Sequence, residues 1–411
     1  MPKRVYALGY NKTGQLGLGH TNYVKSFEKA IPDDLKKFSK ISCGTRHTVL
    51  YSEDGNIYIS GAFGWENWNT INKTFIKVPI PKITVAGISC GDDWTIFHSK
   101  KGTVYAMGYN GCGQLGLGHT GQINALSKVT LGDLGKIVET SCGKDYTILR
   151  SEDGNVYASG YNNCGQLGLE RKDGKYYVDT FTKVVFDGSG KVAEISCGNG
   201  HTILRTEDGK VYASGSNCDG QLGLGENTRA VYAFEEVANL VVKISCGAYH
   251  TFLQNIFGKL YAAGSNSSGQ IGVGWLNAIG NGMLRKVNAF TEVPLPDGII
   301  VADIFCGGYY TFIRTKDGKV YGTGSNSFGQ LGFGLNLNGH WRTDPLYSFM
   351  EVMRGCGKIA KISCGVSHAF LIEGQICRKC GCCFTQKKLS DKILNAVITF
   401  STAERIIEIK D

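Results

Sequence analysis

One string of residues recurs six times along this chain: Gly-x-Asn-x-x-Gly-Gln-Leu/Ile-Gly, beginning at Gly9, Gly108, Gly160, Gly215, Gly264 and Gly324. A second landmark, a Cys-Gly pair after a short apolar run, occurs seven times, at Cys43, Cys90, Cys142, Cys197, Cys246, Cys306 and Cys364. The spacing is roughly fifty residues, the period of solenoids, propellers and arrays. A unit of that size buries its apolar faces only by stacking on its neighbours, so the repeat dictates the architecture.

Each unit has the same local grammar. An alternating run such as Val211-Tyr212-Ala213-Ser214 leads into Gly-x-Asn, and a run such as Thr202-Ile203-Leu204-Arg205 ends at Asp208-Gly209. Period-two alternation marks strands. Asp-Gly between two such runs marks a tight hairpin, because the turn needs positive φ at its central residues. The same turn stands at Asp54-Gly55, Asp153-Gly154 and Asp317-Gly318, and 57 of 411 residues are glycine. Short strands and tight turns predict an all-β chain. Seven small sheets set radially give a seven-bladed β-propeller.

These residues resemble the regulator of chromosome condensation 1 (RCC1) repeat family, whose blades share the Gly-x-Asn, Gly-Gln-Leu-Gly and Cys/Ala-Gly-x-x-His-Thr landmarks. The resemblance covers residues 5 to 374; no Gly-His and Trp-Asp signature recurs that would point to other propellers. The chain opens inside a repeat at Val5-Tyr6-Ala7-Leu8-Gly9 and its repeats finish at Ile362 to Ile372 with half a unit. The N-terminal strand is therefore expected to pair with the last run and close the ring. The predicted organisation is a propeller over 1–374 and a Cys-rich basic tail over 375–411.

Composition narrows the setting. Seven cysteines at one repeat position around a ring cannot all pair with each other, so they read as small buried fillers in a reducing, intracellular (cytoplasmic or nuclear) environment. No stretch approaches ~18 apolar residues, and the first ten residues lack the apolar core of a signal peptide, so neither a membrane span nor secretion is expected. The net charge of +9 is modest, and residues 375–411 carry seven basic against four acidic side chains. Chromatin-binding members of the family resemble one another in a basic N-terminal arm, for which Lys3-Arg4 is a poor substitute. Chromatin and nucleic acid are thus not expected partners, and a monomer is expected.

Because one structural position is sampled seven times, the repeats themselves separate scaffold from site. The glycines, Asn11, Leu16 and their counterparts hardly change and read as framework. The third residue after each Cys-Gly pair is a flat ring with a polar edge: His47, Trp94, Tyr146, His201, His250, Tyr310 and His368. Trp and Tyr at three equivalents exclude a shared catalytic role, and packing with one retained hydrogen bond accounts for all seven. The two residues between pair and ring differ in every blade. They include Arg46, Asp92, Asp93, Lys144, Asp145, Asn199, Tyr249 and Tyr309, and are the candidate partner-binding set. By the resemblance they lie on one end of the propeller near its central funnel, where the three aspartates would form an acidic patch.

The repeat from Gly61 loses its Asn and Gly-Gln turn and reads Ala62-Phe63-Gly64-Trp65-Glu66-Asn67-Trp68. Phe63, Trp65 and Trp68 are a second candidate surface, since Trp concentrates at binding hot spots; the bland alternative is a decayed repeat filled by its own aromatics. Longer loops add Trp275, Arg285, Trp341 and Arg342. In the tail, Cys377, Cys380, Cys382 and Cys383 form half of a zinc-type pattern without its second pair, and lipidation beside basic residues is a further reading. No nucleophile–base pair, phosphate loop or cofactor motif stands out, so no cofactor and no covalent catalysis are expected. The resemblance implies a guanine-nucleotide exchange factor for a small Ras-like GTPase of Ran type, which would bind the nucleotide-free GTPase more tightly than the loaded one. The alternative is a non-catalytic protein–protein interaction scaffold. Ultraviolet sensing, a third role in the family, relies on clustered tryptophans, of which only Trp94 holds the repeat-face position.

Overall fold

The computed structural model describes residues 4–374, apart from 31–37, 63–70, 81–82, 171–174, 189, 227, 275–283, 335–339, 341 and 354–356. The first strands are β1 (Val5–Gly9), β2 (Val24–Lys29), β3 (Phe38–Cys43), β4 (His47–Ser52), β5 (Ile57–Ala62) and β6 (Ile71–Val78). Strands β7 to β26 follow between Val85 and Val352, and β27 (Ile359–Cys364) and β28 (His368–Glu373) finish the repeat region. They form seven four-stranded antiparallel sheets. Blade 1 is β3-β4-β5-β6; blades 2 to 6 occupy residues 85–128, 137–183, 192–238, 241–292 and 301–352.

Blade 7 is composite, in the order β2-β1-β28-β27. Val5 faces Ile372 and Gly9 faces His368, so the two ends of the repeat region share one sheet and the expected ring closure is realised. No helix among the described residues is long and apolar enough to cross a membrane.

The strand ending in Cys is innermost in every blade. Neighbouring inner strands are stitched together: the Sγ of Cys90, Cys142, Cys197, Cys246 and Cys306 each donates to the carbonyl of a serine in the preceding blade at 3.4–3.6 Å. The backbone N–H of each of these five also donates to that serine's Oγ. The cysteines thus do more than fill space. Cys43 is buried, the other six are only partly so, and their sulfurs bridge blades. Burial pushes the thiols up, to about 11 at Cys90 and about 12 at Cys43, Cys197 and Cys306, which leaves them protonated and weakly nucleophilic.

The Gly-x-Asn…Gly-Gln loop is the clasp between blades. Each asparagine is buried, and its Oδ1 accepts from the N–H of the Leu or Ile five residues on, from Leu16 to Leu331, at 2.9–3.2 Å. Each glutamine turns back on the same loop, its Oε1 accepting a backbone N–H two residues earlier. The loop carbonyls then face the next blade, where Ser60, Thr147, Thr202, Thr251 and Thr311 donate to Gln15, Gln114, Gln166, Gln221 and Gln270. Close approach explains the glycines: Gly17 has φ +66° and a Cβ there would fall 2.4 Å from the Phe75 ring.

Candidate functional site

The Cys-Gly loops and the Gly-x-Asn loops emerge at the same end of the ring, because both follow an odd-numbered strand of an antiparallel meander. We call this the loop face; the Asp-Gly turns occupy the other end. At the centre of the loop face an open cavity of about 130 Å³ is lined by all seven Cys-Gly pairs, together with Thr45, Asp92, Asn199, Ala248 and Val366.

Beneath the loop face the seven aromatic residues are completely buried. Each reaches across to the following blade. His47, His201, His250 and His368 place Nε2 within 2.8–3.1 Å of the hydroxyls of Thr95, Thr251, Thr311 and Thr48. Tyr146 and Tyr310 donate to the carbonyls of Gly198 and Gly365, and Trp94 to that of Lys144. Burial drives the imidazoles down, to about 4 at His47 and about 3 at the other three, so they are neutral framework groups.

The variable pairs ride on this framework. The carbonyl of the second residue of each pair accepts a backbone N–H from the loop after the third strand of its own blade, as in Tyr109 N–H to Asp93 and Tyr161 N–H to Asp145, so a backbone bond anchors the loop in every blade. On one half of the ring the first residues are chained by main chain: Asn199 N–H to Ala248, Ala248 N–H to Gly308, and Gly308 N–H to Val366. On the other half, side chains take over. Thr45 donates to Asp92 at 2.6 Å, and the Arg46 guanidinium grips both oxygens of Asp93, with Nε at 2.8 Å.

The loop face therefore has two sectors. The charged sector holds Arg46, Asp92, Asp93, Lys144 and Asp145. Desolvation raises Asp92 to about 6, with Asp145 and Asp93 adding repulsion while Thr45 and Lys144 act the other way. Asp145 is also raised, chiefly by desolvation. Pairing with Arg46 removes Asp93 from the simple acidic patch that the sequence suggests, leaving Asp92 and Asp145 beside the exposed Lys144. The aromatic sector holds Tyr249 and the exposed Tyr309, their rings 5.5 Å apart.

A third group is absent from the sequence expectation. Tyr10, Tyr23 and Phe328 form a mutually packed trio, with centroids 5.0–5.4 Å apart, and Lys12 Nζ lies over Tyr23. Phe328 is the one large apolar residue at its position in the six Gly-x-Asn strings, a signal that the same repeat comparison contains. Phe63, Trp65 and Trp68, Trp275 and Trp341, and Cys377, Cys380, Cys382 and Cys383 all lie outside the described residues.

The family described as RCC1-like domain matches residues 2–277, and RCC1 repeats match 301–330 and 317–372. The X-linked retinitis pigmentosa GTPase regulator of Homo sapiens is 39% identical over 267 residues, 64% of this chain but 25% of the relative. This chain thus spans about a quarter of that protein's length. The ultraviolet-B receptor UVR8 of Arabidopsis thaliana is 30% identical, covering 90% of this chain and 70% of the receptor. A secretion-regulating guanine nucleotide exchange factor of Bos taurus is 25% identical over 92% of this chain and 74% of its own length. Among solved structures, yeast RCC1 (Prp20) bound to Kap60 superposes with a TM-score of 0.79 at 20% identity, covering 92% of this chain and 90% of that one, a likeness of fold.

Proposed function

Since the chain belongs to the RCC1-like propeller family, we propose that it is a regulatory binding propeller whose loop face engages a small Ras-like GTPase and promotes guanine-nucleotide release. The observation that carries this reading is the loop face itself. The framework is satisfied by backbone and buried rings, so the side chains of Lys144, Asp145, Asn199, Tyr249 and Tyr309, and that of Asp92 beyond its one bond from Thr45, are available to a partner. Desolvated carboxylates such as Asp92 and Asp145 suit a lysine or arginine freed when phosphate and magnesium leave. Similarity to a protein named a GTPase regulator and to one named an exchange factor supports the same class of partner. The ring would act by binding the nucleotide-free GTPase more tightly than the loaded form, and that difference expels the nucleotide.

One observation favours a second reading, an interaction scaffold without exchange activity. The family's Ran exchange factor is expected to insert a wedge where a regular turn is replaced, yet the turn after Asp92-Asp93 is regular here: Leu115 N–H bonds Asn110 Oδ1 at 3.0 Å and Cys112 N–H bonds Gln114 Oε1 at 2.9 Å. The deciding experiment follows release of fluorescent GDP from a panel of small GTPases, Ran first, with and without the protein. Accelerated release that is lost in Asp92→Ala/Asp145→Ala supports exchange. A stable complex with no acceleration supports the scaffold.

A further inference from the structure

Three residues before the inner-strand cysteine, the side chains of blades 3 and 5 turn toward the next blade. Glu139 accepts from the N–H of Ile195 in blade 4, and Lys243 Nζ reaches the Ala302 carbonyl and the Asp303 carboxylate of blade 6. Acids at this level are matched by an arginine on the second strand of their own blade: Glu139 with Arg150 at 2.6 Å, Glu194 with Arg205 at 2.9 Å, and Asp303 with the fully buried Arg314. These acids are therefore balanced side chain by side chain, as burial requires.

Blade 2 breaks the pattern. Where blades 3, 4 and 6 carry an acid it has Gly87, and where they carry arginine it has His98, directly opposite Gly87 in the ladder. A Cβ on Gly87 would fall 2.1 Å from His98 Cε1, so the imidazole lies over the place from which a carboxylate is missing. His98 is only 5% exposed; its ring bonds the Val138 backbone, and its Nδ1 has no partner. Lys40 of blade 1 is the repeat equivalent of Lys243. Its charge acts on His98, and burial together with Lys100 holds it below the usual lysine range. Among the described residues Lys40 has no counter-ion, while Arg150 on the far side is committed to Glu139. By repeat register Lys40 and His98 thus stand where Lys243 and Arg314 flank Asp303 in blade 6, with the exposed Lys100 close enough for its charge to act on Lys40.

We infer that this is a carboxylate-binding site toward the hairpin-turn end of the ring, which takes the acidic group of a peptide side chain or of a small dicarboxylate between Lys40, Lys100 and His98. The ligand completes the triad that Lys243 of blade 5 forms with Asp303 and Arg314 of blade 6. The site lies away from the loop face, nearer the end of the ring that carries the hairpin turns.

The test uses the full chain, titrated calorimetrically with a hexaglutamate peptide, glutarate and inorganic phosphate, while side-chain ¹⁵N resonances report His98. Expected are saturable carboxylate binding, a melting temperature that rises with ligand concentration, and a shift of the His98 ring signals. Lys40→Gln should weaken binding about tenfold or more, the scale of a lost charge-assisted hydrogen bond. Gly87→Glu combined with His98→Arg rebuilds the Glu139–Arg150 pair in blade 2 and should abolish binding without lowering the melting temperature. Glutarate binding as tightly as the peptide, or the peptide binding alone, each supports the site and names the source. Wild type that binds no carboxylate, Lys40→Gln that binds as wild type does, or phosphate bound in preference would overturn the assignment. Circular dichroism confirms that each variant is folded.

Discussion

Buried polar residues divide by what their side chains complete. Asn217 accepts from Leu222 N–H at 2.9 Å and donates to the Thr228 carbonyl at 3.0 Å inside a closed loop. Asn217→Ala strands both partners and should cost about 2–4 kcal/mol, read by urea unfolding. Asp92 completes nothing that folding needs beyond one bond from Thr45, and its ionisation is disfavoured by burial. Asp92→Ala should change stability by less than about 1 kcal/mol while weakening partner binding measurably. The ring histidines set the acid limit. Their folded values of about 3 to 4 lie below the unfolded value of about 6.5, so the unfolded chain binds more protons in that window and stability falls as pH drops through it. Asp92, raised to about 6, and Asp145, Glu139 and Glu194, also raised, act in the opposite sense, their contribution being lost as pH rises through their folded values. His98, lowered to about 4, adds a fifth imidazole to the acid-side loss. His250→Tyr, a residue already present at two equivalents, should fold and flatten the decline in melting temperature between about pH 6.5 and 4.

At the scale of elements, the unit that folds and the unit that repeats are offset. The Gly-x-Asn…Gly-Gln loop belongs to one blade in sequence but is clasped by the next: Thr251 of blade 5 donates to Gln221 at 2.7 Å and lies 3.0 Å from His201 Nε2, both in blade 4. Thr251→Val keeps the shape and removes the hydroxyl, and should lower stability by about 1–3 kcal/mol in denaturant unfolding, with the buried His201 nitrogen left unmatched. An unchanged midpoint would show that apolar packing alone joins blades. The hairpin positions and framework were legible in the residues because turn chemistry is local, but the turn type was not: Gly209 takes φ +86° while Asp208 keeps a negative φ, so the turn is not the one with positive φ at both central residues that the sequence suggested. Contacts between blades were not legible. Nothing near Arg46 in the chain names Asp93, 47 residues on, as its partner, since that pairing depends on the angle at which two blades meet. The trio of Tyr10, Tyr23 and Phe328 is hidden for the same reason, its members coming from both ends of the repeat region.

For the whole molecule, closure is the cooperative event. β1 supplies the third strand of blade 7, and Glu373 N–H bonds the Arg4 carbonyl at the seam. Deleting residues 1–12 exposes the β28 edge and removes Leu8 from the core, so the whole ring should lose its single sharp melting transition; a truncated chain that melts like the intact one would count against closure as the source of cooperativity. The sequence by itself determined the blade count, the hairpin turns, the seam and the framework residues, because each follows from a local pattern repeated until chance is excluded. Only the tertiary structure decided which variable residues share a sector, that Asp93 is neutralised by Arg46, that the cysteines bridge blades, and that the His98 ring lies over Gly87 where other blades pair an acid with arginine. Those outcomes depend on side chains from neighbouring blades meeting in space, and a one-dimensional repeat carries the position of each residue in its blade but not what stands opposite it.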